Sequence, residues 1–164
     1  MSASPGKTRV RDTDHGAKAM AARLKALAAS TKTVRVGVLS DAPKKEREGA
    51  TGKLSLVEVA AIHEFGAPEA GIPQRSFIRA TIDERRSDIE ALQFALAQRV
   101  VEGKLTEDQA LAQLGAKVVA WVQARIASNI PPPLAEETVA RKGSSVALVD
   151  TGQLRSGITS EVRG

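Results

Sequence analysis

The sequence predicts an α+β fold, with a small antiparallel sheet packed against two long antiparallel helices and a mobile N-terminal arm. Three observations carry this expectation. Val34, Val36 and Val38 alternate with Arg35 and Gly37, and Ile158, Ser160 and Val162 alternate with Thr159, Glu161 and Arg163. Both runs have the two-residue period of a half-buried strand. Between them, two long stretches repeat their apolar residues at helical spacing, separated by Gly103. Two capping boxes, Ser55–Glu58 and Thr106–Gln109, mark helix starts within the same region.

The elements follow in order. Residues 1–13 are small, polar and basic and read as a flexible arm, leaving 14–164 as one domain. A short amphipathic helix is expected from Asp14 to Ala29, with Ala17, Met20, Leu24 and Leu27 on one face. The strand at Val34–Val38 follows. Residues 41–53 are rich in Pro, Gly and charge and read as an exposed loop. Ser55 caps a helix running to Phe65, and Gly66 is its natural terminator. Pro68, Gly71 and Pro73 make the next connection turn-rich.

A long helix is expected from Ser76 or Phe77 to Val101, with Ile78, Ile82, Ile89, Leu92, Leu96 and Val100 as its buried stripe. A second runs from Thr106 to Ser128 on Leu111, Leu114, Val118, Val122 and Ile126, with Trp121 flanking. Their short link implies a helical hairpin. Pro131–Pro133 stops the second helix and suggests a stiff polyproline II exit. Leu134–Ala140 and Thr151–Ser156 read as helical turns before the last strand. That strand should pair antiparallel with the first. A lone two-stranded ribbon is marginal, so further strands are expected from 67–75, from 143–149 or from a neighbouring subunit.

Composition narrows the chemistry. The 164 residues contain no cysteine, which removes disulfide and thiolate chemistry and fits synthesis in the cytoplasm. Only Phe65, Phe77, Phe94 and Trp121 are aromatic, so the core is aliphatic and a stacking surface is not expected. No apolar run is long enough to cross a bilayer, and the basic N-terminus does not read as a secretory signal. Residues 1–53 hold 12 Lys/Arg against 5 Asp/Glu, a balance of +7 within a whole-chain charge of +5. Such a basic third is a solubilising flank or a contact for nucleic acid or an acidic surface.

Catalytic patterns are weak. His15 and His63 form no metal-ligand pair, and His63 beside Glu64 reads as a surface or packing histidine rather than a general base. Asp83, Glu84, Asp88 and Glu90 spread around a helix among arginines, as a solvated ion-paired face does. Gly143–Ser145 lacks the strand and the Gly-Lys-Ser/Thr of a phosphate loop. Asp150-Thr151-Gly152 matches the aspartic-protease triplet, but Gln153-Leu154-Arg155 after it suggests a capped helical turn. The residues point to a chain that is not an enzyme.

Three segments, in order, carry a family resemblance. They are Glu58–Gly66 (EVAAIHEFG), Ile72–Arg79 (IPQRSFIR) and Leu148–Ile158 (LVDTGQLRSGI). Together they resemble the phage neck and tail-completion proteins, of the lambda minor tail protein Z type and the related virion-morphogenesis proteins of Mu-like and P2-like phages. The resemblance spans about 54–82 and 130–160, and Gly157 stands where the family usually has serine.

It implies a structural virion protein of the neck, made and assembled in the host cytoplasm, with no cofactor and no catalytic residue. Its implied partners are its own copies in a ring of six or twelve, head-completion or connector proteins, and tail terminator or tube proteins. Contact with DNA is possible, and no membrane is involved. Within the motifs Phe65, Gly66, Pro73, Phe77, Asp150, Thr151, Gly152 and Leu154 are expected to be structural. Phe65, Phe77 and Leu154 should pack within the chain, and Asp150 and Thr151 should cap. Arg75, Arg79 and Arg155, with Lys44, Lys45 and Arg47 of the exposed loop, are the candidates for contacts between subunits or with partners. The alternative function is a DNA-binding accessory protein acting through the basic N-terminal third. Salt-dependent DNA retention separates the two.

Overall fold

Alternating runs rich in β-branched residues give two strands, β1 (Thr33–Val38) and β2 (Ile158–Arg163), from near opposite ends of the chain. They pair antiparallel, with Val34 opposite Val162, Val36 opposite Ser160 and Val38 opposite Ile158. The computed structural model describes residues 14–39, 54–128, 130–133 and 152–164. The expected arm 1–13, the loop 41–53 with Lys44, Lys45 and Arg47, the turn at Leu134–Ala140, the 143–149 strand and the caps Asp150 and Thr151 lie outside the described residues.

Among the described residues, five longer helices and two short helical turns accompany the sheet. Helix α1 (Ala17–Ala28) is entered through Asp14, whose Oδ1 accepts from the Gly16 and Lys18 N–H groups. Among the described residues its apolar face is only partly covered: Leu27 is half-buried toward α4, whereas Met20 and Leu24 are exposed, and no residue of α1 is fully buried. Helix α2 (Leu56–Phe65) starts with the expected capping box: the Ser55 Oγ accepts from the Glu58 N–H, and the Glu58 carboxylate accepts from the Ser55 N–H. Gly66 ends α2 at φ 77°, where a Cβ would lie 2.9 Å from the Gln74 nitrogen.

The long helix expected from Ser76 to Val101 is two helices, α3 (Arg79–Glu84) and α4 (Arg86–Val101). The break falls at Arg85, at φ −104° and ψ 14°, where its N–H still bonds Thr81 O. One turn earlier the Thr81 hydroxyl donates back to Phe77 O at 2.6 Å, a contact that bends helices. Helix α5 (Glu107–Ala127) starts on the second expected capping box, formed by Thr106 and Gln109. A last turn, α6 (Gln153–Ser156), leads into β2. In the exit at Pro131–Pro133 the Pro131–Pro132 peptide is cis.

Helix α5 is the spine. Ala110, Leu114, Val118, Val122 and Ile126 are buried along it, and it packs on both strands and on α4. Helix α4 rests on α5, α1 and α3, closing its stripe with Leu96 and Val100. Trp121 lies on the flank of α5, with Arg85 5.8 Å and Lys117 5.3 Å from its ring centroid. No third strand exists among the described residues; in 67–75 there is only the isolated bridge Ala67–Ile72.

Gly115 is the point of closest approach between α5 and the sheet. A Cβ there would lie 2.8 Å from the side chains of both Val34 and Ser160. Gly115→Val should therefore push the helix off the sheet. We expect a loss of about 2 kcal/mol in a urea titration, despite valine's better helix propensity.

Candidate functional site

The densest polar cluster in the described chain joins the first two sequence motifs, and it is built around a carboxylate. Glu64 sits in the last turn of α2, where the helix dipole disfavours negative charge. It faces the start of α3 instead. Its Oε1 accepts from the Ser76 hydroxyl at 2.6 Å and the Arg79 N–H at 3.0 Å. Its Oε2 accepts from the N–H groups of Phe77 at 2.8 Å and Ile78 at 2.9 Å. No local side chain caps α3 at its own N-cap, Ile78; Glu64 supplies the missing acceptor from another helix. The Ser76 Oγ extends the arrangement by accepting from the Ala80 N–H.

The connection between the two helices closes the same knot. Ala67 and Ile72 exchange backbone bonds across a 3-10 turn at Pro68–Ala70. The chain then returns along α2, where the Arg75 N–H donates to His63 O at 2.8 Å and the Gln74 Nε2 donates to Glu64 O at 3.0 Å. These two donors satisfy carbonyls that the end of α2 leaves open. From α5, Arg125 donates through Nε to Ser76 O and pairs with Glu84.

Glu64 is only 7% exposed, and each oxygen has two donors. Burial pushes its carboxyl upward, but the bonds from Ser76, Ile78, Arg79 and Phe77 outweigh it and hold the pKa below the usual glutamate value. A carboxylate saturated in this way organises backbone and has no lone pair left for a substrate. Among the described residues no group of three or more His, Cys, Asp or Glu side chains could hold a metal ion. No helix of the described residues is long and apolar enough to cross a membrane.

The expected site residues divide sharply. Phe77 is fully buried and Leu154 is buried, as packing residues should be. Gly66 takes its positive φ at the end of α2, and Gly152 takes φ 70° before α6. Pro73 is exposed in the return segment. Gly157, where serine was expected, has the side chain of Leu56 packed against it.

Two expectations are corrected. Phe65 does not anchor α2 to the core: it is 68% exposed. Successive helical residues point about 100° apart, so turning Glu64 inward turns Phe65 outward. Arg75 is not an outward contact: it is 4% exposed. Its Nε and Nη2 donate to Pro132 O at 3.0 and 2.8 Å, and Nη2 also reaches Pro133 O at 3.4 Å. Arg79 and Arg155 do remain exposed, and neither guanidinium has an ion-pair partner among the described residues.

Glu64, Arg125 and Gln123 were not singled out in the sequence. Gln123 donates to Arg155 O at 3.1 Å, fixing α6 to α5. For Glu64 a signal existed: an acidic residue in the last turn of an apolar helix, directly before phenylalanine and glycine, is misplaced unless something distant uses it.

Two outcomes follow from this geometry. Because the folded pKa of Glu64 lies below its unfolded value, its contribution is complete above the unfolded carboxylate range, about pH 4.3. It is lost as pH falls through the folded pKa. Glu64→Gln should therefore destabilise by roughly 2–3 kcal/mol at neutral pH. The gap from wild type should shrink in urea titrations at pH 3. Arg75→Lys cannot reproduce the paired donors and should lose about 1–2 kcal/mol, measured the same way.

No family model, curated protein or solved structure matches the chain, so its function rests on its own residues and their arrangement.

Proposed function

We propose that this chain is a structural virion protein of the phage neck, a tail-completion or head–tail-joining component whose ring links the tail to the DNA-filled head. The observation that carries the reading is the union of its three motifs. They are widely separated in sequence, yet Glu64 of the first binds Ser76 to Arg79 of the second. The third contributes α6, which packs on α2 and α5. Their side chains therefore build a scaffold, as the family resemblance implies, and leave selected residues outside.

A joining protein must repeat around an axis and meet unlike partners on its two sides. Rigid helices with outward groups suit that task. Arg79, Arg155, Phe65 and Phe94 project from the scaffold, and the two phenylalanines are the most exposed large apolar residues described.

Particles made without the protein should contain DNA-filled heads and polymerised tails that fail to join, visible by electron microscopy. Complete, infectious particles would refute the proposal. Arg155→Glu should leave the melting temperature nearly unchanged, because the side chain is exposed and in no ion pair among the described residues. It should lower the yield of joined particles, and normal assembly would remove Arg155 from the interface. DNA retention by the isolated protein that falls steeply with salt would favour the basic N-terminal third acting on nucleic acid.

A further inference from the structure

The outer edge of β1 borders a groove that the described chain leaves open. Residues 35–39 form one wall along the strand. Val57, Ala61 and Phe65 of α2 form the other, and Arg79 lies at the start of α3; the volume is about 460 Å³. Among the described residues, no backbone or side-chain hydrogen bond reaches the edge of β1 that faces away from β2. Gly37 brings its backbone close to the groove floor, with Ile78 Cδ1 3.8 Å from where a Cβ would stand. Two arginines, Arg35 and Arg79, line the groove, and neither is in an ion pair among the described residues; Glu161, opposite Arg35 in the ladder, pairs with Arg163 instead. Glu64 also lines it, but its oxygens are already filled.

We propose that this groove receives an extended segment of a partner protein, with carboxylates among apolar residues, which adds to the sheet as a third strand beside β1. Each part of the site selects a part of that ligand. The unpaired N–H and C=O groups of β1 require an extended backbone. The wall of Val57, Ala61 and Phe65 favours apolar side chains on one face of it. Arg35 and Arg79 favour carboxylates and oppose basic segments. The same addition completes a sheet that two strands leave marginal. The inference rests on the groove alone and stands or falls separately from the neck assignment.

The test uses the full chain and a fluorescent hexapeptide alternating valine and glutamate. Binding is followed by anisotropy, and backbone amide exchange in β1 by NMR. The acidic peptide should bind, slow exchange at the outward-facing amides of β1, and weaken as salt rises. A peptide with lysine in place of glutamate should not bind. N-methylation of the peptide amides that face β1 should lower affinity by about tenfold or more, since it removes ladder bonds. Arg35→Glu with Arg79→Glu should do the same while keeping the native circular dichroism. If that double variant fails to fold, the N-methylated and lysine peptides still decide the matter.

No binding, equal binding of the lysine peptide, or indifference to N-methylation would overturn the proposal. So would β1 amides already protected in the monomer, which would mean that the chain fills its own edge. Protection that appears with rising protein concentration alone would assign the groove to a second copy instead.

Discussion

One buried carboxylate sets the geometry on which the rest of this molecule depends. Removing Glu64 from water is unfavourable, and only dense hydrogen bonding offsets it. The donors are three consecutive backbone N–H groups and a hydroxyl, so α3 must begin where Glu64 can reach. That requirement fixes the rotation of α2 and puts Phe65 on the outside. It also requires the chain to reverse at Gly66 and return tightly enough for Gln74 and Arg75 to serve the end of α2. Phe77, held between Ser76 and Ile78, enters the core as a consequence.

The polar residues of the first two motifs then acquire meanings that their charges alone do not suggest. Arg75 and Arg79 are separated by one turn's worth of sequence and look equivalent as basic residues. Arg75 is buried and donates to the carbonyls of prolines, residues that have no backbone N–H. Arg79 gives its backbone N–H to Glu64 and leaves its guanidinium outside. The difference is decided by direction: the return segment runs along α2 at Arg75, whereas the chain has already turned into a helix at Arg79.

Local patterns in the sequence were sufficient for much of this fold. The strand alternation at Val34–Val38 and Ile158–Val162, the stripe of α5 from Leu114 to Ile126 and both capping boxes depend on neighbours within a few residues and appear where the pattern places them, although the first turn of α5 buries Ala110 in place of the expected Leu111. The antiparallel pairing of the strands was also legible, because the chain had only two clear strands to pair. What was not legible depended on distant contacts. The division of the long helix at Arg85, the exposure of Phe65 and the burial of Arg75 all arise from which carbonyl or carboxylate lies across a gap in sequence. The apolar spacing of α1 was read correctly as amphipathic, yet Met20 and Leu24 face outward, because periodicity defines a face without naming what covers it.

The two kinds of helix start found here carry a consequence for the order in which the chain acquires structure. Helices α2 and α5 begin on caps made from residues three apart, so their first turns can close without help from the rest of the molecule. Helix α3 borrows its cap from Glu64, thirteen residues before Phe77, and that residue is aimed correctly only once α2 exists. A six-residue helix is too short to persist alone, and α3 adds this distant acceptor to the one local contact it has, from the Ala80 N–H to the Ser76 Oγ. Helix α3 is a conditional element: the acceptor that serves Phe77, Ile78 and Arg79 at its start is in position only where α2 is formed and the turn at Gly66 is closed.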